Sequence, residues 1–165
     1  MVTAQRTYLE MRDPSQLRPL RVSDETIRLE RAEDCYPALY RFLYGEVGRR
    51  YHWTDRLSWT DDVVRAHLAQ PEVSIWLMLV RGTPAGYFEL ETDDEGGVEI
   101  AYFGLFHEFI GRGLGAHLLT EAVGTAWTFA PNRVWLHTCT FDHPAAVPNY
   151  ISRGFTPFKT EEYSV

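Results

Sequence analysis

Between residues 73 and 105 the chain reads as three strands laid down in succession, and this run restricts the possible folds more than any other feature. The first is Val73–Val80, followed by the turn Arg81-Gly82-Thr83-Pro84. The second covers 85–91, the polar stretch Asp93-Asp94-Glu95-Gly96-Gly97 turns the chain again, and Val98–Leu105 is the third. Turns this short join strands that run antiparallel, because a parallel return needs a crossover of a dozen or more residues. The centre of the fold is therefore an antiparallel meander.

The remaining elements follow from periodicity. Residues 7–20 carry two prolines and some alternation at Tyr8-Leu9-Glu10-Met11, so 1–22 reads as an N-terminal edge strand and loop. Residues 26–32 alternate apolar and charged side chains and form the first secure strand. Leu39, Leu43 and Val47 recur every four positions, which predicts a helix over 34–47 with Pro37 in its first turn. Thr60 is suited to cap a second helix over 61–70, with Asp61 and Asp62 at the favourable end of its dipole. After the meander, Leu114, Leu118, Ala122, Ala126 and Phe129 fall on one helical face. A strand over 134–140, a short helix over 144–152 stopped by Gly154, and a strand from Phe155 onward complete the order. The expected class is α/β (α+β): a mixed, mostly antiparallel central sheet of six to seven strands with helices on both faces. At 165 residues the chain suits a single domain, 1–165.

Charge and hydropathy set further limits. Sixteen Lys and Arg against 23 Asp and Glu give a net charge of −7, which argues against general nucleic-acid binding and suits a cationic substrate. The longest apolar run is 75–80, far short of a membrane span, and Met1-Val2-Thr3-Ala4-Gln5-Arg6 is no secretory leader, so the expected location is cytoplasmic. Cys35 and Cys139 lack any CxxC spacing and are expected to be reduced thiols. The six histidines show no metal-ligand spacing, so no metal is expected.

The segment Gly111-Arg112-Gly113-Leu114-Gly115 stands where a strand gives way to a helix. Glycine lets backbone amides approach an anion closely and takes positive φ without strain, and a helix start offers unpaired N–H groups and partial positive charge. Arg112 either adds a charged contact or faces solvent. The run through Ala116 also satisfies the dinucleotide pattern G-x-G-x-x-[GA]. It lies after an antiparallel meander, however, with only about fifty residues to follow, too few for a doubly wound sheet. A P-loop is excluded because no Gly-Lys-Ser/Thr follows.

The sequence resembles the GNAT superfamily of N-acetyltransferases from Ile27 onward. That family carries Arg/Gln-x-x-Gly-x-Gly/Ala, and here Ile110-Gly111-Arg112-Gly113-Leu114-Gly115 occupies the motif with Ile110 in place of the leading Arg or Gln. Leu105-Phe106-His107-Glu108-Phe109 resembles the family's Val-x-Pro-x-Tyr lead-in, with His107 at the proline. A second block, residues 143–155, resembles Asn-x-x-Ala-x-x-x-Tyr-x-x-x-Gly-Phe, matched at Ala146, Tyr150, Gly154 and Phe155, with His143 at the Asn and Asn149 as its nearest substitute.

The resemblance implies a GNAT-like fold and transfer of an acetyl group from acetyl-CoA to a primary amine of a small molecule or peptide, with no nucleic acid or membrane as partner; members often pair as homodimers. It places pyrophosphate on the amides of Ile110, Gly111, Arg112, Gly113, Leu114, Gly115 and Ala116, and the acetyl and pantetheine groups along the strand near Phe103 and Leu105, with Asn149 nearby. Gly104 is expected to permit the bulge that aims those groups. Tyr150 is the candidate acid for the departing thiolate. Glu99 is the candidate base, acting through water, with Glu89 in reserve. The loop Tyr51-His52-Trp53-Thr54-Asp55-Arg56, with Trp59, either lines the acceptor pocket or staples the loop to the core, and Arg49, Arg50 and Arg56 are candidates for a carboxylate on the acceptor. His137 is read as a satisfied core or cleft histidine outside the mechanism. The alternative is a non-catalytic acyl-CoA-binding sensor or partner protein with the same fold.

Overall fold

The computed structural model describes residues 1–165. In chain order the elements are β1 (Thr3–Met11), β2 (Arg28–Arg31), α1 (Pro37–Gly48), α2 (Asp61–Leu68), β3 (Val73–Val80), β4 (Thr83–Thr92), β5 (Val98–Leu105), α3 (Leu114–Trp127), β6 (Val134–Cys139), α4 (Ala146–Arg153) and β7 (Thr156–Ser164). They build one seven-stranded sheet in the order β2-β3-β4-β5-β6-β1-β7. Every neighbouring pair is antiparallel except β5 and β6, which run parallel. The fold is the expected mixed, mostly antiparallel sheet.

Helices cover both faces. On one, α3 lays Leu118, Leu119, Ala122, Val123 and Ala126 against Phe88, Leu90, Ile100 and Leu136 to form the larger core. On the other, Tyr40, Leu43 and Val47 of α1 and Val64 of α2 pack on Val73, Ile75 and Tyr87. The predicted cap is present, Thr60 accepting a hydrogen bond from the Val63 N–H. The helix over 114–129 ends earlier, at Trp127, and leaves Phe129 exposed. Pro148 falls at the third position of α4, where its missing N–H removes no intrahelical bond. Cys35 and Cys139 are free thiols. No helix is long and apolar enough to cross a membrane.

The N-terminal strand corrects the expectation of an edge. β1 begins at Thr3 and lies between β6 and β7, paired on both sides. Its position depends on β7, which returns from the opposite end of the chain to cover its outer side. The edges are instead β2 and β7. β2 is only four residues long, none of them buried, a form that leaves little unpaired backbone for another chain to join.

Candidate active site

Two irregularities of β5 create the site. Opposite β4, Glu89 pairs with Tyr102 and Leu90 with Ile100, so Ala101 is the extra residue of a bulge. Ile100 consequently packs into the α3-side core while Tyr102, two residues on, packs on the α1–α2 side. The bulge lies at Ala101 rather than at Gly104. Gly104 is required for a different reason: a Cβ there would strike Val47 of α1.

The second irregularity is a splay. β5 and β6 pair only at Val98–Val134 and Glu99–Trp135, then diverge. From Ile100 onward the β6-facing edge of β5 therefore opens into a cavity of about 850 Å³ that passes between the strands. Its size suits an extended organic cofactor together with part of a second substrate. Of the residues expected to hold the cofactor, Phe103, Leu105, Ile110, Gly111, Gly113, Gly115, Ala116 and Asn149 line it.

Arg112 and Leu114 do not line the cavity. The Arg112 guanidinium lies over the Phe109 ring, 5.0 Å from its centre, and the Leu114 side chain is buried in the core. Gly111 and Gly113 adopt φ of +87° and +76°, and Gly113 stands at the N-terminus of α3 with no capping side chain. The first-turn N–H groups of α3 thus face the cavity mouth without internal partners, a ready anion cradle. Asn149 ties α4 to this turn, donating from Nδ2 to the Gly115 carbonyl at 3.2 Å.

Tyr150 enters from α4 and lines the cavity, its ring 6.2 Å from those of Phe103 and Phe155. Burial, with a smaller push from the Asp142 charge, raises its phenol pKa above the ordinary value, so the group is held protonated. Glu99 sits at the root of the splay, its Oε1 3.7 Å from Nε2 of His137. Burial first, and the neighbouring Glu91 charge second, push its carboxyl up to about 7. Glu99 itself does not line the cavity; His137 does. Partial burial and the Arg6 charge hold the imidazole below its ordinary pKa, so it is a neutral base near pH 7. Alternation along 134–138 assigns His137 a side of its strand but not what it faces; the cavity wall is the cleft position.

Glu89, the reserve base, is committed elsewhere. It is fully buried and receives Arg56 at 2.6 Å, the Tyr40 hydroxyl at 2.8 Å and His67 Nε2 at 3.2 Å. Burial pushes its carboxyl up, yet the His67 hydrogen bond and the Arg56 charge outweigh this and hold it below its ordinary value. Arg56 also reaches Glu91 at 3.3 Å and lies over the rings of Trp59 and Tyr102. It is a clasp and not a carboxylate receptor. Ligand atoms of His67, Glu89 and Glu91 lie within 4.8 Å of one another, but the Arg56 guanidinium already binds both carboxylates. Arg49 pairs with Glu46 and Arg50 with His107, and neither lines the cavity. The clasp fixes the loop 51–55, whose residues form one cavity wall.

A family model described as the Acetyltransferase (GNAT) family matches residues 30–155. No curated protein matches the chain. Among solved structures, a GCN5-related N-acetyltransferase from Kribbella flavida is similar at 19% identity and TM-score 0.65, over 94% of this chain and 55% of its own. One from Sphaerobacter thermophilus gives 17% and 0.67, over 96% and 50%. An aminoglycoside acetyltransferase from an uncultured soil metagenomic sample, solved with trehalose, gives 16% and 0.62, over 79% and 88%. The chain thus spans about half the length of the first two. With the family pattern covering most of a sheet that is splayed beside a glycine-opened helix, the chain belongs to the GNAT family of acetyltransferases.

Proposed function

We propose that the chain transfers the acetyl group of acetyl-CoA to a primary amine by direct attack. The observation that carries this is the continuity of one cavity from the glycine-opened turn of α3, past Tyr150, to His137 on the far side of the splay. The pyrophosphate rests on the first-turn amides, with no side-chain cation from position 110. The thioester lies along the open edge of β5, where backbone N–H groups stabilise the developing oxyanion. The amine nitrogen bonds to the acetyl carbon as the C–S bond breaks. The ammonium proton passes by way of His137, on the cavity wall, to the Glu99 carboxylate beside it, which is the base, and the thiolate takes its proton from Tyr150. The products are an N-acetyl amide and CoA, and the second proton, lost from nitrogen as the amide forms, restores the Tyr150 hydroxyl.

The amide cradle is tested by acetyl-CoA calorimetry. Gly113→Val forces a β-branched residue to φ of +76° and should weaken binding by about tenfold, whereas Ile110→Ala should change it by less than about threefold. A larger loss from Ile110→Ala would contradict a site built on amides.

The base is tested by pH. A base must be deprotonated to act, and the Glu99 carboxyl is raised to about 7, so kcat/KM should rise with pH through that value and level off above it. Glu99→Gln should remove this limb and lower the plateau by about tenfold or more. An unaltered limb in Glu99→Gln would assign the titration to another group.

A further inference from the structure

We infer that Arg6 receives an anionic group of the acceptor, so that the amine acetylated here belongs to a molecule carrying a carboxylate close to its amino group. The inference rests on the acetyl-transfer reading above and names the substrate class of that same site. Arg6 is a half-buried residue of β1 that lines the cavity. It stands directly opposite Cys139 on β6, while Tyr8, two residues on, stands opposite His137. Paired residues of adjacent strands point to the same side, so Arg6 and His137 share one face, one side-chain step apart.

Arg6 makes no ion pair, unlike Arg56 and Arg49. Its Nε is buried and has no hydrogen-bond partner, and its guanidinium lies 4.7 Å over the Tyr163 ring, another wall of the cavity. A buried donor left unpaired is costly, and a guanidinium fork is the geometry that carboxylates fill in bidentate fashion. The opposite charge is supplied nearby: Asp55 and Asp142 line the same cavity, Asp142 accepting from the Thr138 hydroxyl and the Cys139 N–H. Arg153 also lines the cavity without an ion pair, but it belongs to α4, whereas Arg6 shares the His137 face of the sheet. The cavity thus offers acids to draw an ammonium toward His137 and, in Arg6, an unpaired cation beside it to hold an anion. A zwitterion of the amino-acid type matches both.

The test measures CoA release with free amino acids, each beside its own carboxamide, for wild type and Arg6→Gln. Wild type should favour the free acid over the amide by about tenfold or more in kcat/KM, the worth of a charge-assisted hydrogen bond. Arg6→Gln should collapse that ratio to near one by raising KM for the acids. A wild-type ratio near one would overturn the inference while leaving acetyl transfer in place, and this arm holds even if Arg6→Gln fails to fold. A ratio retained in folded Arg6→Gln would overturn it as well. No release with any amine would overturn both the inference and the transfer reading.

Discussion

Tyr150→Phe should lower kcat by about a hundredfold while leaving acetyl-CoA affinity within about twofold of wild type, because in the proposed transfer it removes the general acid and little else. The ring keeps its neighbours Phe103 and Phe155, each 6.2 Å away, so packing in the α3–α4 core persists. What disappears is the hydroxyl, held protonated in a buried position at the cavity wall. The same enclosure disfavours a bare thiolate beside it, so the phenolic hydrogen is available as the C–S bond breaks. Steady-state kinetics and acetyl-CoA calorimetry on the same preparation separate the two effects. Turnover within twofold of wild type would take Tyr150 out of the mechanism, and a large loss of affinity would make it a binding residue.

Arg56→Met should destabilise the fold by about 3–5 kcal/mol, because it strands the Glu89 carboxylate in a fully buried position. For a domain of this size that corresponds to a fall in Tm of about 10 °C. The dependence on pH has a definite sign. The folded-state pKa of Glu89 is depressed, so its pairing contributes stability above the ordinary carboxylate value of about 4.3 and is lost as pH falls through the depressed one. The uncompensated carboxyl of the variant takes up a proton more readily, so the penalty should be largest at neutral pH and shrink in acid. Thermal unfolding across pH checks this. A penalty below about 1 kcal/mol at pH 7 would mean the cluster behaves like a surface pair.

The elements easiest to read in the sequence were those fixed by local rules. The meander strands Val73–Val80 and Val98–Leu105 have the predicted bounds because alternation and short polar turns determine them. Thr60 caps α2 and Gly113 opens α3 for reasons contained within a few residues. The features that escaped depend on distant partners. β1 is interior only because β7, more than 140 residues later, pairs with it at Thr3–Ser164. The clasp joins Tyr40, Arg56, His67 and Glu89 from four separate segments, so Arg56 looked like a free cation beside an acceptor loop. Gly104 suggested a bulge, whereas the register of β4 against β5 puts it at Ala101. His137 stands next to Glu99 only because β6 runs parallel to β5 before the two part. In the cavity wall, the glycine turn and Tyr150 carry their own local motifs, whereas His137 and Arg6 are brought there by strand pairings that no local rule fixes.

The function is tested most directly by supplying the chain with acetyl-CoA and a panel of amino acids, peptides and simple amines. Thiol release and mass spectrometry then follow each reaction. Transfer predicts CoA released in step with a product acetylated on nitrogen, and loss of both in Tyr150→Phe. Acetyl-CoA bound tightly, with no acetyl group reaching any amine, would contradict the account and identify the chain as an acyl-CoA-binding protein that has lost turnover.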